Sequence, residues 1–321
     1  MKSNFLSRLT PLKPYLRWLV WGGVSFFLVK TLHTHWQTVV NTEISGFNWG
    51  YAILAFLVTL LAHCWTGWVW GLILRYLNYP VSGVWSIRVY LQTNIAKYVP
   101  GNVWHFYGRV RAAQQFDIPL PVATLSVLLE PLLMLAAALL LALFTYPQAN
   151  LFLQLLILGV VLLGVHPVCL NPLLHWAGKL KGRKNWAQQT PDSPTPQPES
   201  ISVKSYPLLP FLGECFFLLL RGSGFLLTVL ALQPLTWEQI PPLVSTFSLA
   251  WLLGLVVPGS PGGIGVFETT AIAFGSAQGA IALLQGNFFL SIALYRLIST
   301  LAEAIGAFLA TVKEKSRPQH D

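Results

Sequence analysis

The chain has 321 residues, 54% hydrophobic and only 10% charged, with a mean hydropathy of +0.59 and a formal net charge of +9. Soluble domains carry about 25% charged residues, so a water-soluble globular protein is excluded. Apolar runs of about 20 residues fit transmembrane helices, and a membrane β-barrel would instead show alternating segments of about 10 residues.

The first apolar run, 15–35, stands behind Lys2, Arg8, Lys13 and Arg17. It is too long for a signal-peptide core and no small-residue cleavage site follows, so a retained span is expected. Further spans are expected at 50–75, 119–146, 151–172, 207–233, 239–258, 263–283 and 287–312. The expected fold class is thus an all-α polytopic membrane protein with about eight transmembrane helices in two halves. With a cytoplasmic N-terminus, 17 of the 20 Lys and Arg residues fall in cytoplasmic tails and loops, as the positive-inside rule requires. Both termini are then cytoplasmic, and the positive charge reports topology rather than nucleic-acid binding. Residues 178–205 join a basic cluster to a stretch holding Pro191, Pro194, Pro196 and Pro198, a composition that cannot bury a core. They read as a flexible cytoplasmic linker between a first membrane half, 1–177, and a second, 206–321.

Two interrupted stretches stand out: KYVPGNVW at 97–104 and VVPGSPGGIGVFE at 256–268, their Val-Pro-Gly strings 158 residues apart. Gly and Pro at this density cannot form regular helix. Interrupted segments at matching places in two halves point to a transporter's binding site, although a plain interhelical turn remains open for each. The segment 84–98 places Val84, Ile87, Leu91, Ile95 and Tyr98 on one stripe, which suits an interfacial or re-entrant helix. Lys97, Arg109 and Arg111 read either as a phosphate clamp or as positive-inside charge alone. Broken backbone at Pro100, Gly101 and Asn102, and again around Gly262, Gly263 and Gly265, would supply N–H groups.

Ionisable groups within spans cost at least about 2.5–3.5 kcal/mol each and need a reason. Glu130, Glu268 and Arg296 are assigned to the substrate path, two of them because they neighbour a proline or the Gly-rich break. Glu214, Arg221 and Glu303 are assigned to ion pairs that fix packing. Cys64, Cys169 and Cys215 lie within apolar runs, and the histidines form no ligand spacing. No metal, no cofactor and no enzymatic activity are therefore expected, and no phosphate-binding loop or nucleophile elbow is present.

KYVPGNVW with Arg109-x-Arg111, Ser126 with Glu130, and Pro261-Gly262-Gly263-x-Gly265-x-x-Glu268 together resemble the flippase-like transmembrane family of the lysylphosphatidylglycerol synthase membrane region. The resemblance covers roughly residues 15–312. It implies an eight-helix bundle with re-entrant elements that moves a phospholipid or a lipid-linked carrier between leaflets, as a standalone member without an aminoacyl-transferase domain. The expected partner is a phosphate-bearing membrane lipid, with a homo-oligomer or a cell-envelope enzyme as further partners, and the expected place is the bacterial inner membrane. Two alternatives stay open: a proton-coupled transporter of a small solute, and a non-enzymatic membrane subunit of an envelope complex.

Overall fold

A computed structural model describes residues 46–99, 102–145, 151–169, 171–172, 205–257, 261–277 and 287–315. Among these the regular structure is helical: α1 (Trp49–Tyr76), α2 (Gly83–Asn94), α3 (Trp104–Gln114), α4 (Leu120–Thr145), α5 (Leu151–Gly164), α6 (Leu208–Leu232), α7 (Ile240–Val256), α8 (Val266–Ala277) and α9 (Asn287–Lys315), with short 3-10 turns between some of them. Five helices are long and apolar enough to cross a membrane: Trp49–Tyr76, Leu120–Ala142, Leu208–Leu232, Trp237–Val256 and Asn287–Val312. They match five of the expected spans within a few residues.

The other three expected spans are not matched by such a helix. Residues 15–35 lie outside the described residues, as does the linker 178–205. Within 151–172 there is α5, a helix of 14 residues, then a break at Val165 and His166 and further helical residues at 167–169 and 171–172. At 1.5 Å per residue α5 rises about 21 Å, short of the roughly 30 Å hydrocarbon layer. Pro167 follows closely, and a proline disfavours helix at the residue before it. In place of 263–283 there is α8, with 12 residues, and 278–286 lie outside the described residues.

The bundle exposes apolar side chains on its outer face and buries polar ones among its apolar core. Ile53, Leu57 and Leu61 form an exposed stripe along α1, while Thr59, His63 and Thr66 on the opposite side are buried. Such an inversion suits a lipid solvent, in which apolar surface needs no burial. α1 packs against α2, α4, α6 and α9 and is the axis of the assembly. Close approach depends on small residues: a Cβ at Gly67 would stand 2.9 Å from the Ile87 backbone, and one at Gly213 would stand 2.7 Å from Val69. The α1–α6 contact is pinned by Trp65, whose Nε1 donates to the Gly213 carbonyl at 2.8 Å. Behind it, Phe225, Phe247, Phe267 and Tyr295 form an aromatic core among α6, α7, α8 and α9.

Because the atom opposing Gly67 belongs to backbone, it cannot rotate away. Gly67→Val is expected to cost about 1–3 kcal/mol of stability. Thermal unfolding in detergent checks this, with Gly159→Ala as a control that does not lower the midpoint, since nothing lies within 4 Å of a Cβ there and alanine favours helix.

Candidate functional site

The first interruption begins where α2 stops. Ser82 caps its start, its Oγ accepting from the Trp85 N–H at 3.2 Å. The helix then tightens to 3-10 over Ile95–Tyr98 and leaves in extended conformation at Val99. The expected stripe is only partly right: Leu91, Ile95 and Tyr98 are buried, but Val84 is exposed, and Tyr90 and Asn94 turn into the bundle instead. α2 packs on α1 and α9. Pro100 and Gly101 lie outside the described residues, and Asn102 takes a positive φ of 48°.

The second interruption ends α7 and opens α8. Gly262 and Gly263 have φ of 60° and 73°, a region that side-chain-bearing residues rarely occupy. Each is also crowded, since a Cβ at Gly262 would stand 2.6 Å from the Tyr98 ring and one at Gly263 would stand 2.9 Å from the Gly254 carbonyl. Tyr98 belongs to the first interruption. The two broken segments therefore touch.

Around that contact the ionisable groups pair across helices. Arg296 on α9 donates through Nε to Glu268 at 2.6 Å and through NH2 to the Gly262 carbonyl at 3.2 Å. Glu268, in the first turn of α8, also accepts from the Gly265 N–H at 2.7 Å. Glu303 on α9 accepts from Lys97 Nζ at 2.7 Å. Arg109 on α3 is bonded to Glu130 on α4, both almost wholly buried, and its guanidinium lies 4.5 Å from the Tyr90 ring centroid. Glu130 precedes Pro131, which lacks an N–H and interrupts the helical ladder inside α4.

Arg221 on α6 differs from these. It is 5% exposed, donates through NH1 to Ser299 Oγ at 2.9 Å, and approaches His63 Nε2 at 3.2 Å. Among the described residues no carboxylate pairs with it, and its Nε has no hydrogen-bond partner. The same His63 Nε2 stands 3.2 Å from Glu303. A guanidinium only donates and a carboxylate only accepts, so that one ring nitrogen can satisfy one neighbour at a time.

These groups line a cavity of about 310 Å³. Its lining combines charged side chains, Lys97, Arg109, Glu130, Arg221, Arg296 and Glu303, with apolar ones, among them Leu128, Pro131, Met134, Phe217, Trp251 and Leu255. Leu128 is 52% exposed and shares an outward stripe of α4 with Leu132, so the cavity reaches the outer face of the bundle there. Outside the spanning helices, burial and then the neighbouring Arg109 push His105 down to about 2. His105 is therefore neutral and adds no charge to the lining.

Of the residues singled out in the sequence, Lys97, Asn102, Arg109, Glu130, Gly262, Gly263 and Arg296 come together on the cavity wall. Glu268 joins them through Arg296 rather than by lining the cavity, and Gly265 stands behind Glu268. Arg111 is exposed on the far side of α3, because residues two apart on a helix do not share a face. Arg109 and Arg111 do not form a clamp together. His63, Arg221 and Glu303 were missed as site residues. Their membrane depth was a usable signal, but nothing in the sequence said that α1, α6 and α9 would bring them to one point.

No curated protein matches the chain closely enough to count as a relative. The family described as the lysylphosphatidylglycerol synthase TM region matches residues 18–306, which span both interruptions and every group lining the cavity. The chain is a multi-pass membrane protein that belongs to the lysylphosphatidylglycerol synthase TM region family.

Proposed function

We propose that the chain is a lipid translocator that moves a phosphate-bearing lipid or lipid-linked carrier between leaflets. The observation that carries this reading is a cavity lined by both ion-paired and apolar side chains, one of which, Leu128, is exposed on the outer face of the bundle. A headgroup would meet the charged side chains while its acyl chains stayed against α4 and α7. A proton-coupled carrier of a small solute would give the apolar lining no role. The family, named for the membrane region of a lipid-modifying synthase, supports a lipid setting. In this reading 15–35, 151–172 and 263–283 complete an eight-span bundle in two halves, with both termini in the cytoplasm of a bacterium.

Two expected outcomes test the reading in proteoliposomes, with translocation followed as loss of dithionite-accessible fluorescence from a headgroup-labelled phospholipid. Arg109→Gln lowers the rate at least tenfold and costs about 3–5 kcal/mol of stability, because it leaves Glu130 buried and unpaired. Arg111→Gln on the exposed face changes neither. The double variant Arg109→Gln/Glu130→Gln removes both charges, so it recovers stability but not rate. A rate that recovers along with stability would reduce the pair to a packing device.

The second outcome concerns entry. Leu128→Trp places a larger apolar group at the lateral opening, leaves thermal stability within about 0.5 kcal/mol as expected of a lipid-facing site, and slows translocation severalfold. An unchanged rate would show that lipid does not enter beside α4.

A further inference from the structure

We propose that Arg221 is the seat of an anion subsite that takes a singly charged phosphodiester, that of the lipid headgroup in the translocator reading on which this inference rests. The cavity's other fixed cations are already matched: Lys97 with Glu303, Arg109 with Glu130, and Arg296 with Glu268. His105 is neutral. Arg221 lines the same cavity, is 5% exposed, and has only Ser299 and His63 as side-chain hydrogen-bond partners, with Nε unpartnered. Glu214, two turns away on α6, interacts with Glu130 and Arg109 instead and does not line the cavity.

Glu303, which already holds Lys97, is also the carboxylate that acts on Arg221, so two cations share one anion and one positive charge is left over in a low-dielectric site. One added negative charge balances it. A phosphodiester carries one, whereas a phosphomonoester carries up to two at neutral pH. The planar guanidinium fork can meet two phosphate oxygens at once through its two terminal nitrogens.

The neighbours specify how such an anion is received. Phe217 precedes Arg221 by four residues, one turn along α6, and both line the cavity. The cationic tip and an apolar wall for glycerol and acyl groups are therefore on one helix face, which favours a lipid phosphodiester over free phosphate. An anion that engages Arg221 NH1 also releases His63 Nε2 from the guanidinium. With its proton moved from Nδ1 to Nε2, the neutral imidazole can then donate to Glu303, 3.2 Å away. Occupancy of the subsite is thus read by the carboxylate that holds Lys97.

The test is thermal unfolding of the purified full chain in a non-ionic detergent, titrated with dihexanoyl phosphatidylglycerol, dihexanoylglycerol or inorganic phosphate. The phosphodiester lipid is expected to stabilise the wild type, and the other two probes are not. Arg221→Gln weakens the apparent Kd for the phosphodiester lipid at least tenfold, Arg221→Lys weakens it about threefold to tenfold by losing the fork, and Arg111→Gln leaves it unchanged. Wild-type affinity in both Arg221 variants overturns the subsite while leaving the translocator reading in place. Stabilisation by inorganic phosphate equal to that by the lipid overturns the lipid source. A wild type that binds none of the lipid probes overturns the reading and the subsite together. Should Arg221→Gln fail to fold, Arg221→Lys decides alone: unchanged affinity overturns the proposal.

Discussion

Arg296 bonds a carboxylate and a backbone carbonyl at once, Glu268 through Nε and Gly262 through NH2, and much of the bundle is arranged so that it can. A chain that stops being helical at membrane depth exposes N–H and C=O groups that lipid cannot satisfy. Partners must come from the protein. Glu268 closes the other side of the same break by accepting from the Gly265 N–H, and the Gly262 φ of 60° lets the turn pass against the Tyr98 ring. A buried arginine and a buried glutamate would each be costly alone. Together they stabilise a non-helical segment that leaves room for a cavity.

That cavity is partly polar because the helices around it carry charges inward, and it persists because α1 lets them come close. Gly67 and Gly213 remove the side chains that would hold α2 and α6 away. With lipid as solvent, apolar burial does little to drive helix association, so close contact and hydrogen bonds such as Trp65 Nε1 to the Gly213 carbonyl carry more of the work. The aromatic cluster of Phe225, Phe247, Phe267 and Tyr295 fixes α8 against α9, which sets the distance from Glu268 to Arg296. Packing and electrostatics converge on the same interruption.

How much of this was legible in the sequence follows from what each signal depends on. Five spans were readable because hydropathy over about 20 residues is a local property. The second interruption was readable for the same reason: Pro261, Gly262, Gly263 and Gly265 exclude regular helix wherever they stand. The window at 151–172 was also apolar, but hydropathy does not register the break at Val165 and His166 that follows α5. Arg109 and Arg111 looked alike as a basic pair. Helical phase separates them, since His105, Arg109 and Ala113 recur at four-residue spacing on the buried face of α3. Arg221 and His63 were beyond reach, because they lie 158 positions apart and only the packing of α1 on α6 makes them neighbours.

The ion pairs also divide in a way that bears on motion. Arg109–Glu130 joins two elements before residue 178, and Arg296–Glu268 joins two elements after residue 205. Each can ride on its own half of the chain. Lys97–Glu303 alone among the described Lys and Arg pairs crosses between the halves, and His63 bridges the same gap to Arg221 and Glu303. A change of access that moved the halves apart would therefore leave two pairs intact and open the third. It would expose one ammonium, one carboxylate and the unmatched guanidinium of Arg221 to the cavity together. An ammonium and a carboxylate left unpaired in a low dielectric are strongly unfavourable, so separation needs a compensating charged occupant between the halves.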